Sequence, residues 1–277
     1  MVIGCSVFMD TVTGTSISRA RVEKRMKKIV FFDVDGTLLT VGSSVVPEST
    51  VRAIEELQRN DIGVVLCTGR HPLELKQLDL LKYPFDGFVL LNGQLVLDSG
   101  MDVISARTIE GLDKEELISL FERHEAPMIL VEKDRLFMNY HDKYVVQVQN
   151  DIASPVYEID EHHGAPVFMS TIFVGRGEEK NFTNLVCSRW HDHAMDIFLP
   201  DGGKVYGIKK FMERERLGTE SIIAFGDGDN DIEMLKFAGL GVAMGNAPDN
   251  VKAEADYVTD RVECDGIWKA LKHFEII

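Results

Sequence analysis

A chain of 277 residues is long enough for one or two domains and for a core that needs no disulfide or structural metal. Hydrophobic residues make up 45% and charged residues 27%, which excludes wholesale disorder; the net charge of −15 argues against non-specific binding to nucleic acid or an anionic membrane. Apolar runs such as 29–32 and 88–91 fall far short of the ~18 residues a membrane-crossing helix needs. The four cysteines (Cys5, Cys67, Cys187, Cys264) include no CxxC pair, as expected of a reduced cytoplasmic protein.

Residues 1–25 lack the apolar stretch and small-residue cleavage site of a secretory signal. The first strand pattern begins only after Met26, so Met26 is expected to be the natural start and 1–25 to lie outside the fold. KIVFF at 28–32 reads as a strand. Residues 47–60 place Val51, Ile54 and Leu57 on one helical face, with Pro47 suited to the first turn. Residues 63–67 and 88–91 read as buried strands flanking a helix at 72–81. Continuous apolar strands alternating with helices predict a parallel sheet covered on both faces.

After about residue 100 the pattern changes. A helix is expected at 113–125 with Asp113 as its cap, then two short strands at 127–132 and 135–140. A strand near 166–174, a helix near 178–190 and a strand near 194–199 follow. Strand pairs with helices point to an α+β insert. Alternation resumes with helices at 205–217, 229–237 and 247–255 and strands at 222–225 and 241–244. The fold class is therefore α/β, a Rossmann-like doubly wound parallel sheet. Its discontinuous core spans 26–100 and 200–277, and an inserted α+β cap spans 101–199.

Four clusters follow predicted core strands, where open parallel sheets place their ligands. Asp33 and Asp35 lie two apart, so an extended chain points both carboxylates the same way. Such a pair becomes useful when a divalent cation neutralises one or when one stays protonated. Thr68, Gly69 and Arg70 offer a hydroxyl, a flexible backbone and a guanidinium, all suited to phosphate. Lys204 follows Gly202-Gly203 and can neutralise a transferring phosphoryl group. Residues 226–231, GDGDND, crowd Asp227, Asp229, Asn230 and Asp231 into a Gly-rich turn with oxygen ligands that suit Mg²⁺. An EF-hand loop would need glycine at the sixth position, where Ile232 stands. Each cluster alone has an ordinary reading as a strand end, a turn or a surface lysine. The weight lies in all four occurring in this order.

With those motifs, the chain resembles the haloacid dehalogenase superfamily of phosphatases, in its Cof-type branch with a large α+β cap. The matching segments are FFDVDGTLL at 31–39, CTGR at 67–70, LNGQ at 91–94, GGK at 202–204, AFGDGDNDIEML at 224–235 and GVAMGNA at 241–247. The resemblance implies Asp33 as nucleophile forming an aspartyl-phosphate and Asp35 as general acid/base. It implies Asp227 and the Asp33 carboxylate as Mg²⁺ ligands with the Asp35 carbonyl, Asp231 supporting the ion directly or through water. Thr68 and Lys204 are implied as phosphate binders and Asn230 as a contact to phosphate or to Lys204. Gly69 and Arg70 are candidates for substrate contact. Val205 follows Lys204 where many relatives have glycine, so Lys209 and Lys210 are competitors for its role. A free Asp is too acidic to donate a proton at neutral pH, so an acid role for Asp35 requires its pKa to be raised by desolvation, which a closing cap supplies, or by nearby charges.

The implied function is Mg²⁺-dependent hydrolysis of a small phosphorylated metabolite, with a sugar phosphate as the expected class. The alternatives are a phosphomutase on the same fold and a non-catalytic regulatory protein that binds a phosphometabolite. No nucleic acid or membrane partner is expected, and oligomeric state is left open. A zinc site among the eight histidines is disfavoured, because His191 and His193 lack a third ligand at a suitable spacing. Trp190, Phe168 and Phe198 are expected to pack the cap core, and Cys67 to be a small buried residue. Asn92 and Gln94 either face the cap or make a turn.

Overall fold

The computed structural model describes residues 26–152, 154–178, 182–200 and 202–277. The expectation for residues 1–25 lies outside the described residues. In chain order the elements are β1 (Lys28–Phe32), α1 (Glu48–Arg59), β2 (Ile62–Cys67), α2 (Pro72–Gln77), β3 (Gly87–Leu90), β4 (Leu95–Asp98) and β5 (Val103–Ala106). Next come α3 (Gly111–Glu122), β6 (Met128–Val131), β7 (Leu136–Met138), α4 (Lys143–Asp151), β8 (Met169–Ile172), β9 (Val186–His191) and β10 (Ala194–Phe198). The chain closes with α5 (Gly203–Glu215), β11 (Ile222–Gly226), α6 (Ile232–Phe237), β12 (Leu240–Ala243), α7 (Asp249–Lys252), β13 (Tyr257–Val258) and α8 (Gly266–His273).

The larger sheet has the order β13-β12-β11-β1-β2-β3-β4-β5, parallel from β13 to β3 and antiparallel through β4 and β5. Alternation in β1 explains why both its faces are covered. Val30 and Phe32 join the apolar cluster containing Ile54 and Leu57 of α1 and Leu271 of α8. Ile29 and Phe31 join Ile208 and Phe211 of α5 and Leu235 of α6. No face of the strand meets water, so a purely apolar run is what the position requires. The hairpin β4–β5 carries this sheet to Ala106, past residue 100 where the insert is expected to begin.

The smaller sheet is antiparallel in the order β7-β6-β8-β10-β9. Met128, Leu130, Ile172, Met195 and Ile197 turn to one side and pack with Leu117 and Phe121 of α3. Ile129, Val131, Met169 and Ala194 turn to the other side and join the cluster that also contains β1 residues. The second face therefore looks at the C-terminal edge of the larger sheet.

Several expected elements differ. The helix expected near 178–190 is instead β9 over its last residues, because β10 needs an antiparallel partner and Cys187, Ser188 and Arg189 supply one. α3 starts at Gly111 with Glu110 at its cap, and Asp113 accepts a hydrogen bond from Asn184 Nδ2. α2 stops at Gln77, since Asp79 turns left-handed (φ 55°). The sequence pattern did not predict α4, the β4–β5 hairpin, β13 or α8.

Candidate active site

Asp33 follows β1 directly, and its amide donates to the Phe225 carbonyl at 3.0 Å, so β1 and β11 end side by side. The chain turns at Val34. Asp33 and Asp35 both line one cavity, but only the Asp33 carboxylate joins those of Asp227 and Asp231 within 4.8 Å. Gly36 completes the turn at φ +78°. A β-carbon there would sit 2.0 Å from Asp227 Oδ2, so the close approach of the two loops requires glycine. Asp227 is held on both oxygens: Thr37 Oγ1 donates to its Oδ1 at 3.4 Å, and Asn246 Nδ2 donates to its Oδ2 at 3.0 Å and also to the Gly36 carbonyl at 2.8 Å.

Lys204 enters from the first turn of α5 and is buried. Its Nζ donates to Asp33 Oδ1 at 2.5 Å and to Asp231 Oδ1 at 2.6 Å. Lys209 lies over the Phe237 ring and Lys210 pairs with Glu213, so neither competes for this place. Asp231 Oδ2 accepts the amides of Asp227 and Gly228, both at 2.9 Å. That carboxylate therefore ties the GDGDND turn to the lysine.

Asp33, Asp227 and Asp231 bring carboxylate oxygens within 4.8 Å of one another, the one such group of metal-ligating side chains among the described residues. Burial pushes the Asp33 carboxyl well above its ordinary value. Lys204 pulls it back, and Asp231, Asp227 and Asp35 add to the rise. Asp227 is pushed up to about 7, by burial first and then by Asp231. Burial pulls Lys204 toward neutrality, but Asp231 and Asp33 outweigh it and hold the ammonium above its ordinary value. One lysine leaves this carboxylate cluster under-neutralised. Hard oxygen donors with surplus negative charge are the donor set that fits Mg²⁺.

Thr68 and Arg70 follow β2. Thr68 is buried and its Oγ1 accepts the Arg70 amide at 3.2 Å. Gly69 lies against Asn92. Arg70 lines the cavity, but its guanidinium forks onto Asp35, Nε to Oδ2 at 2.6 Å and Nη2 to Oδ1 at 2.8 Å. Its Nη1 reaches Glu74 at 3.5 Å, and Glu74 accepts from the Tyr157 hydroxyl at 2.8 Å. A chain of contacts thus runs from the small sheet's side of the molecule to Asp35.

Haloacid dehalogenase-like hydrolases match this sequence over residues 30–271. The chain belongs to this family. It falls in the Cof-type branch of phosphatases. YkrA of Bacillus subtilis (strain 168) is 32% identical over 90% of this chain and 98% of its own length. BT1666 from Bacteroides thetaiotaomicron, described among phosphatases of the superfamily, superposes with a TM-score of 0.82 at 31% identity, covering 95% of this chain and all of its own. The subclass IIB sugar phosphatase BT4131 gives a TM-score of 0.80 at 31% identity over 90% of this chain and all of its own.

As in a haloacid dehalogenase-like enzyme with a cap, a cavity of about 320 Å³ lies between the two sheets. Asp33, Asp35, Thr68, Arg70, Asp227 and Asn230 line its floor. The cap supplies Ile129, Val131, Met169, Phe173, Trp190 and Asp196, among others. Trp190, expected in the cap core, faces this cavity and is 39% exposed, while Phe168 and Phe198 are buried as expected. Cys67 is buried, and burial pushes its thiol far up, so it is inert. Asn92 (φ 50°) both turns the chain and meets the cap, donating to Asp196 Oδ2 at 2.9 Å. His191 pairs with Asp151, His193 stacks on Tyr144 and His162 pairs with Glu132.

Sequence reasoning did not single out Asp196, Glu74, Tyr157 or Asn246. One signal for Asp196 was present: a carboxylate in the otherwise apolar strand AMDIF. Asn246 stood inside a quoted motif, GVAMGNA.

Proposed function

We propose that this chain hydrolyses a phosphate monoester of a small metabolite through an aspartyl-phosphate on Asp33, with Mg²⁺ as cofactor. The observation that carries this is the buried Asp33 at the cavity floor, beside a lysine and two further carboxylates. Asp33 and Asp227 would hold the ion with the Asp35 carbonyl, and Asp231 would support it by fixing Lys204 and the loop. The ion's contribution is to offset the repulsion between a carboxylate nucleophile and a phosphate dianion.

An Asp33 oxygen attacks phosphorus and the ester oxygen leaves with its electron pair. Asp35, which the Arg70 fork holds in place as a carboxylate, takes up a proton as that fork loosens on substrate entry and then supplies it to that oxygen. In the second displacement Asp35 takes a proton from water, whose oxygen attacks the phosphorus and releases Asp33 and phosphate. Lys204, Thr68 and Asn230 meet charge on the phosphoryl oxygens. Arg70 acts as a positioning residue, since its fork is engaged by Asp35.

No Lys, Arg or His from the cap lines the cavity among the described residues, so nothing there favours a mutase's second phosphate. BT4131 is a sugar phosphatase, which supports the sugar-phosphate expectation. The cap wall mixes apolar side chains with Gln149, Ser154, Thr171 and Asp196, which suits a leaving group with both polar and apolar parts.

Phosphate release from p-nitrophenyl phosphate and a metabolite panel tests the reading. Turnover is expected with Mg²⁺, none with chelator, and a loss of at least about 10³-fold in Asp33→Asn, as for other nucleophile removals. Normal turnover by that variant overturns the mechanism.

A further inference from the structure

Asp196 carries a charge in a place that ordinarily excludes one. It sits on β10 among Ala194, Met195, Ile197 and Phe198, is 8% exposed, and lines the cavity. Thr171 Oγ1 and Trp190 Nε1 donate to its Oδ1 at 2.9 and 3.0 Å, and Asn92 Nδ2 donates to its Oδ2 at 2.9 Å. All three donors are neutral. They satisfy hydrogen bonding without cancelling the charge, and a buried carboxylate without a cation is costly. Burial raises its pKa to about 6 against those donors, so the group is ionised at neutral pH. Around it the cap wall combines Ile129, Val131, Met169 and Phe173 with the polar Gln149 and Ser154, and the Trp190 indole is held in place by its bond to Asp196. Carboxylate and indole side by side form a site for a cation.

We infer that Asp196 is a specificity-determining residue that pairs with a protonated nitrogen on the leaving group. The favoured substrate is then a phosphate monoester of a compact alcohol bearing an amine or a protonated ring nitrogen. The inference rests on the phosphatase reading above. Asn92 to Asp196 also joins core to cap, so the test must separate recognition from latching.

Two probes differ only at the far end: 4-(aminomethyl)benzyl phosphate and 4-methylbenzyl phosphate. They are compared with the full-length protein and Mg²⁺, and p-nitrophenyl phosphate serves as control. The amine probe is expected to have the higher kcat/KM by at least about tenfold, because a site built to pair with a substrate group leaves its own polar group unpaired when the analogue lacks one. In Asp196→Asn the amine probe is expected to lose at least about tenfold more than the methyl probe, mainly through KM. In Asn92→Ala, which cuts the latch and keeps the carboxylate, both probes are expected to fall by one common factor. Equal turnover of the two probes by the unaltered protein overturns the inference. So does a common loss in Asp196→Asn, which marks a latch, and so does failure on both probes while p-nitrophenyl phosphate is hydrolysed. Failure on all three, with folded protein, overturns the phosphatase reading itself and the inference with it.

Discussion

At the scale of single residues, two buried charges are handled in opposite ways. Lys204 is surrounded by carboxylates that hold it protonated, so its burial is offset where it stands. Asp196 has only neutral donors, and its ionised form costs the fold stability. Its folded pKa of about 6 lies above the ordinary 3.8, so the folded protein binds the proton more tightly than the unfolded chain does. Stability from the protonated form is therefore full below pH 3.8 and lost as pH rises through 6. The gap between those two values corresponds to about 3 kcal/mol at neutral pH as an upper bound. By calorimetry at the two values, the change in Tm caused by Asp196→Asn is expected to be more favourable at pH 8 than at pH 5. A larger gain at the lower pH contradicts the sign.

At the scale of elements, the site is assembled by turns at the C-terminal ends of β1, β2 and β11 and by the first turn of α5. The turn after β1 has the narrowest tolerance. Gly36→Ala introduces a β-carbon where Asp227 Oδ2 stands and places it on a left-handed backbone. The backbone term alone costs about 1–2 kcal/mol. Because the displaced group is a candidate ligand, Mg²⁺ affinity is expected to fall by about tenfold or more, as for other changes beside metal ligands. Titration calorimetry with Mg²⁺ checks this, and unchanged affinity removes Asp227 from the ion's ligands. These core elements were legible because β1, β2 and β11 lie covered on both faces, which imposes uninterrupted apolar runs. β9 was not legible. Its residues 186–191, VCSRWH, are only partly buried at a sheet edge, so neither period 2 nor period 3.6 stands out. The four chemical clusters were legible for a related reason, since each consists of short-range neighbours. Asp196 meets Asn92 across 104 positions of sequence, and Tyr157 meets Glu74 across 83, so neither contact shows as a local pattern.

At the scale of the whole molecule, side chains among the described residues fasten the cap over the core around the cavity. His71 Nε2 lies 3.0 Å from the carbonyls of Glu132 and Lys133, Asn92 reaches Asp196, and Tyr157 reaches Glu74. The first two fasten the lid. The third also leads inward, because Glu74 touches Arg70 and Arg70 holds Asp35. These contacts link the cap to the residue proposed to protonate the leaving group, and cap closure is expected to bear on its orientation. The coupling has a signature that simple loosening lacks. An alkyl ester needs a proton delivered to its departing oxygen, whereas p-nitrophenolate leaves well without one. Tyr157→Phe keeps the ring in the cavity wall and removes only the hydroxyl that Glu74 accepts. Its kcat on an alkyl phosphate is expected to fall by about fivefold, the rate equivalent of a ~1 kcal/mol hydrogen bond. Its kcat on p-nitrophenyl phosphate is expected to change little. An equal drop on both esters assigns Tyr157 to the lid alone, and the chain from Tyr157 to Asp35 then carries no catalytic coupling.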